Sequence, residues 1–297
     1  MPTRTSPIVH GSAPHGHVGD LVAGRNERGS AEARSDDVPS VGRVIHRVPS
    51  SRWRVGLRQS LALLGALALC PIAALVIGGD ADAPIARAEA LIAAERLLGI
   101  YVEPAVHTWA RAHPDLLMTA SAFYVLAHVP VAGWALIWTW FLRRDRFALV
   151  RDTFLWTQGI LVAIYLLVPT PPPRLVPGTG FADTLTGLWG REFADSAHVL
   201  QSPFAAVPSG HVAFALVASG VFARMGDMRW LRVFGWAYAP VVVAVTVVTA
   251  NHLLFDAVAA ACVVGCAYRL AAKACQTTSY RACASRKASK PSTPGPP

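Results

Sequence analysis

His252 and Asp256 stand four residues apart, a spacing that puts both on one face of a helix. The carboxylate can then hold one ring nitrogen and leave the other to attack or to exchange protons. Two other readings fit the same pair: a structural hydrogen bond, or two ligands of a metal such as Zn²⁺. The cysteines lie elsewhere, and no Glu or third His is spaced locally to complete a metal site. The expectation is therefore a site without metal or other cofactor.

A second element, Val207-Pro208-Ser209-Gly210-His211, precedes an apolar run and places Ser209 and Gly210 at a helix start. Helix N-termini offer unpaired N–H groups and the positive end of a dipole, so this one suits a phosphate, with Gly210 allowing close approach. An ordinary N-cap explains Pro and Ser equally well. His211 is harder to explain in that way, because an ionisable group at membrane depth is costly and usually functional. The third element, Pro169-Thr170-Pro171-Pro172-Pro173-Arg174, ends another apolar run. Its prolines stop a helix and stiffen the exit, holding one guanidinium near the surface. His128, four residues after Tyr124, shares a helix face with it. The two form either a polar pair lining the interior or, for His128, a hydrogen bond to a neighbouring helix.

These residues need a scaffold, and the composition says which. Of 297 residues 53% are hydrophobic and only 15% charged, and mean hydropathy is +0.40, too apolar for a soluble protein of this length. Disorder throughout and a secreted disulfide scaffold are both excluded, since Cys70, Cys262 and Cys266 lie in apolar runs and Cys275 and Cys283 in a basic tail. Six segments are long enough to cross about 30 Å of hydrocarbon: 59–79, 116–141, 147–168, 208–225, 232–250 and 252–272. The fold class expected is an all-α integral membrane protein with six transmembrane helices. Residues 1–58 and 273–297 are expected to be disordered basic tails around a membrane domain at 59–272.

The net charge of +9 resides in those tails, and neither interleaves basic residues with a recognisable nucleic-acid-binding fold, so no nucleic-acid partner is expected. Lys and Arg accumulate on the cytoplasmic side of bacterial-type membrane proteins. With both termini inside, 22 of the 27 Lys and Arg fall inside; only Arg87, Arg96, Arg111, Arg174 and Arg191 fall outside. All three chemical elements then converge on the extracytoplasmic face. The first outer loop, 80–115, carries helical spacing at Glu89, Ile92, Glu95-Arg96 and Leu97-Leu98, read as an amphipathic interfacial helix. Trp109, Trp138, Trp140 and Trp189 fall near span ends, where indoles favour the headgroup zone.

Together the elements supply a phosphoryl-transfer site: a nucleophilic His, an Asp to orient it, a His to protonate the leaving oxygen, and Arg with helix-end amides for phosphate charge. Pro208-Ser209-Gly210-His211 and His252-x-x-x-Asp256, with the upstream Arg174, resemble the type 2 phosphatidic acid phosphatase superfamily. That resemblance implies six spans, lipid phosphate or diphosphate substrates and a phosphohistidine on His252. It makes Asp256 the partner, His211 the general acid, and Ser209, Gly210 and Arg174 the phosphate holders. Pro172-Pro173-Arg174, Gly180-Phe181-Ala182-Asp183-Thr184 and Asn251-His252 are similar to the inositolphosphotransferase-like branch, related to inositol phosphorylceramide synthases. The branch implies transfer to a polyol such as inositol, with hydrolysis using the same residues.

Two positions depart from the superfamily pattern. Leu167 stands where a Lys is usual, and Val245-Thr246 where Ser-Arg is usual. Arg191 is a candidate to supply the missing charge to the phosphate. The departures keep a second reading open, a catalytically silent membrane transport or assembly component.

Overall fold

The computed structural model describes residues 59, 65, 81–190 and 203–288, with side chains to 277. The expected first span, 59–79, and the N-terminal tail lie essentially outside the described residues, as does Arg191. Helices α1 (Asp82–Leu97) and α2 (Glu103–Arg111) come first. The bent pair α3 (Pro114–Leu126) and α4 (His128–Leu142) follows, and then α5 (Arg144–Leu167). A 3-10 turn at Pro173–Leu175 and the short α6 (Thr184–Trp189) lead on to α7 (Gly210–Met225), α8 (Arg229–Val248) and α9 (Leu254–Ala288). The described chain is all helical, with one isolated bridge, Thr170 to Ala205, outside the helices.

Among the described residues, three helices are long and apolar enough to cross a membrane: α5, α8 and α9 as far as Thr277. A fourth span results if α3 and α4, bent by 47°, are counted as one. The bend falls at Ala127, next to Pro130, whose ring clashes with the Leu126 carbonyl and has no N–H to offer it. Expected as one span at 116–141, this segment is two helices bent against each other. The fourth expected span becomes the 16-residue α7, about 24 Å at 1.5 Å per residue and so short of a full hydrocarbon width. The chain is thus a multi-pass membrane protein in which the described spans number three or four.

Helix α7 runs through the centre of the bundle. Its Ala213, Ala215 and Ala218 are essentially fully buried, and Val212, Val217, Val221 and Phe222 join Phe154 and Leu161 of α5, Tyr238 and Val242 of α8, and Val263 of α9 in one core. Small side chains let the helices approach closely, the packing favoured where lipid replaces water. The tightest approach is at Gly235, where a Cβ would lie 2.3 Å from the Ala223 nitrogen. Ile137, Phe141, Val233, Trp236 and Val258 face outward, as lipid-facing positions should.

The ends of the bundle differ. At one, Arg143 pairs with Asp227 and donates to the Met225 carbonyl, tying the α4–α5 and α7–α8 turns together. Arg143 and Arg144 lie over the Trp138 and Trp140 rings there. At the other end lie the Pro-rich exit of α5, the start of α7 and the start of α9. The 80–115 loop forms two helices rather than one, and α1 turns Ala88 and Ile92 inward onto Val176 and Leu253. Leu97, Leu98 and Trp109 remain exposed. The last helix also exceeds its expected end at 272: it continues to Ala288, into the tail expected to be disordered, since neither Gly nor Pro interrupts the sequence between Gly265 and Pro291.

Candidate active site

Backbone hydrogen bonds bring the three sequence elements together. Thr170 donates to the Phe204 carbonyl at 2.8 Å and accepts from Ala206 at 3.0 Å, which joins the Pro-rich exit to the segment leading into α7. The Arg174 amide donates to the Ala250 carbonyl at 3.3 Å, joining it to the turn before α9. Ser209 N–H donates to the Asp256 carbonyl at 3.3 Å, joining the two helix starts.

That turn is built to present His252. Ala250 adopts φ 53°, and the Thr246 carbonyl accepts from both Asn251 and His252, at 3.0 and 3.3 Å. His252 Nδ1 lies 3.2 Å from Asp256 Oδ2, both side chains being buried, and Oδ2 also accepts the Leu253 N–H at 3.0 Å. The carboxylate thus caps its own helix and fixes the ring tautomer with Nε2 outward. No described group bonds to His252 Nε2, which leaves it available to a reacting atom.

His211, on the first turn of α7, faces it with 6.1 Å between ring centroids, and its Nε2 likewise has no described partner. Tyr124 stacks on the His211 ring at 3.9 Å and His128 lies at 4.1 Å, so both, on α3 and α4, flank the histidine. The break between those two helices sets His128 at this position. Its Nδ1 has no described partner, so the alternative of a hydrogen bond to a neighbouring helix is not realised through that atom.

Arg174 is fixed at two points. Nε donates to Asn251 Oδ1 at 2.8 Å and Nη1 to Asp183 Oδ1 at 2.9 Å, while Asn251 Nδ2 donates to Thr249 Oγ1 at 2.7 Å. The planar guanidinium permits both bonds at once. Ser209 acts as the N-cap, its Oγ accepting from Val212 N–H at 3.3 Å. With Ser209, Val212 and Ala213 amides engaged, Gly210 and His211 carry the remaining donors at the open end of α7. The missing side chain of Gly210 makes room for Tyr165: a Cβ there would stand 3.2 Å from Tyr165 Oη, which donates to the Pro208 carbonyl at 2.7 Å.

Of the two departures from the family pattern, Leu167 lies apart from this pocket, whereas the Thr246 carbonyl holds the Asn251 and His252 amides. Leu167 is 77% exposed at the end of α5. Thr246 is fully buried, and its hydroxyl donates to the Val243 carbonyl. Among the described residues, no three His, Cys, Asp or Glu side chains are grouped to hold a metal ion, so a metal reading of His252 and Asp256 would need a third ligand from elsewhere.

Three residues escaped the sequence reading. His107 accepts the Ala182 N–H at Nε2, so its Nδ1 carries the proton and donates to the Val248 carbonyl at 2.9 Å; the ring ties α2 to both site loops. Glu95 and Glu103 are fully buried and accept the Phe255 and Leu254 amides at 2.7 and 2.8 Å. Burial raises the Glu95 carboxyl to about 7, with the Glu103 charge adding to it and the Phe255 hydrogen bond opposing it. An acid on a loop helix, 160 residues from its partner, leaves no local sequence signal.

Against known proteins, a family model described as the PAP2 superfamily matches residues 89–270. No curated protein and no solved structure matches the chain.

Proposed function

The chain belongs to the PAP2 superfamily, whose members are phosphatases and phosphotransferases acting on lipid phosphates, and on that premise we propose that it transfers a phosphoryl group from a membrane lipid through a phosphohistidine on His252. The observation that carries this is the buried His252–Asp256 pair with Nε2 free, facing a second histidine across a 6.1 Å gap between ring centroids. Nε2 attacks phosphorus and the P–O bond to the lipid breaks. Asp256 stabilises the imidazolium that forms, and His211 gives its proton to the departing oxygen. In the second half, His211 takes a proton from the acceptor hydroxyl, whose oxygen displaces His252 from phosphorus. Arg174 and the Gly210 and His211 amides face the phosphate charge.

Pro172-Pro173-Arg174 and Asn251-His252 favour a polyol such as inositol as acceptor, as in the inositolphosphotransferase-like branch, and water in its place gives hydrolysis. The reading includes six spans, cytoplasmic termini and an extracytoplasmic site; the charge distribution supports this orientation. A cysteine placed at Thr186 in a cysteine-free background should react with an impermeant reagent in intact cells. Reaction only after the inner face is opened would reverse the orientation.

The mechanism is tested by incubating purified protein with phosphorus-labelled lipid phosphates, with and without inositol, and mapping the label. A label on His252, lost in His252→Ala, is expected, and a label on another residue would overturn the assignment. Leu167 and Thr246, uncharged where the family usually has cations, favour the second reading of a silent transport or assembly component. Full function of His252→Ala in cells would support it.

A further inference from the structure

Glu95 and Glu103 lie on helices α1 and α2, yet both end on the first turn of α9. With Asp256 Oδ2 on Leu253, three carboxylates take three consecutive amides, Leu253, Leu254 and Phe255, at the start of the helix that follows His252. A single capping side chain satisfies one of the four free amides of a helix start, whereas here each of three takes its own. The second oxygens, Glu95 Oε2 and Glu103 Oε2, are buried and meet no donor among the described residues, while the first oxygens accept from adjacent amides and so set the two carboxyl groups side by side. Two facing acceptors attract only if one of them carries a proton.

We infer that Glu95 and Glu103 share one proton as a carboxyl–carboxylate pair, and that this pair positions the His252 end of α9. It rests on the reading of His252 as the nucleophile. The charged groups acting on Glu95 are Glu103 from α2 and Asp256 from α9, both acidic. On their own side Arg96 lies over the Tyr101 ring, 5.0 Å from its centroid. The folded chain keeps the Glu95 proton up to about pH 7, against 4.5 for the free carboxyl, so stability from the pair falls as pH rises through that interval. Above it two buried charges repel, α1 and α2 loosen on α9, and His252 loses its register.

The test uses the full chain in lipid nanodiscs, with phosphoenzyme formation from labelled phosphatidic acid measured from about pH 5 to about pH 9 and Glu95→Ala compared with Glu95→Gln. Glu95→Ala removes the acceptor of Phe255 N–H and should slow the maximal rate roughly ten- to hundredfold with little change in KM. In Glu95→Gln, Oε1 still accepts from Phe255 while Nε2 donates permanently to Glu103. It should recover most of the rate lost in the alanine variant and hold it to higher pH than wild type does. Hydrogen-exchange protection of the Leu254 and Phe255 amides reads the pair without turnover: it should fall through about pH 7 in wild type and stay flat in Glu95→Gln. That pattern, with the label on a residue other than His252, would sink the nucleophile and leave the proton-sharing pair standing. Rate and protection profiles of Glu95→Gln that superimpose on wild type, with His252 labelled, would overturn the pair.

Discussion

Helices α7 and α9 begin side by side, joined by the hydrogen bond from Ser209 to the Asp256 carbonyl, and their N-termini are finished in opposite ways. Helix α7 is capped from within by Ser209, so the Gly210 and His211 amides stay at an open end. At α9, carboxylates from three different helices fill the first turn, two of them reaching in from α1 and α2. Both ends carry the same positive partial charge. On α7 it is left open, and on α9 it is spent on holding the chain still behind His252. The difference explains why the two histidines suit different tasks: one is anchored by Asp256, the other lies between Tyr124 and His128 with Nε2 open.

The anchored end is broken most severely at its carboxylate. Asp256→Asn keeps the shape but cannot stabilise the imidazolium or fix its tautomer, and turnover should fall by roughly 10²- to 10⁴-fold in steady-state assays of lipid phosphate cleavage. Retained turnover would assign Asp256 to capping alone. Arg174→Lys addresses the charge both helix ends face. A lysine keeps the charge but not the fork that meets Asn251 and Asp183 together, so KM for the lipid phosphate should rise about tenfold, the loss of one charged hydrogen bond. The open end gives the smallest effect. Gly210→Ala presses a methyl against Tyr165 Oη, and thermal unfolding in detergent should show a loss of about 1 kcal/mol. A larger loss of phosphate binding than of stability in that variant would mean that the glycine serves the anion as well as the tyrosine.

Hydrophobic run lengths are local, so the sequence by itself determined the helical membrane class, and α5, α8 and α9 fall near their expected places. The four-residue spacing also pointed to the partnership of His252 with Asp256, although His252 precedes α9 and the contact is made from the turn, with Asp256 on the first turn of the helix. Pro169 to Arg174, Ser209 to His211 and His252 to Asp256 were legible as elements, though their meeting through Thr170, Ala250 and Ser209 was not. Only the tertiary structure decided the purpose of Gly210, the break at Ala127 that sets His128 beside His211, and the burial of Glu95 and Glu103. Helical periodicity made Glu95 part of a polar face in an interfacial helix, since one helix read alone shows which residues share a face but not what covers it. What covers Glu95 is the first turn of α9, and a pairing across 160 residues is set by packing of the whole bundle.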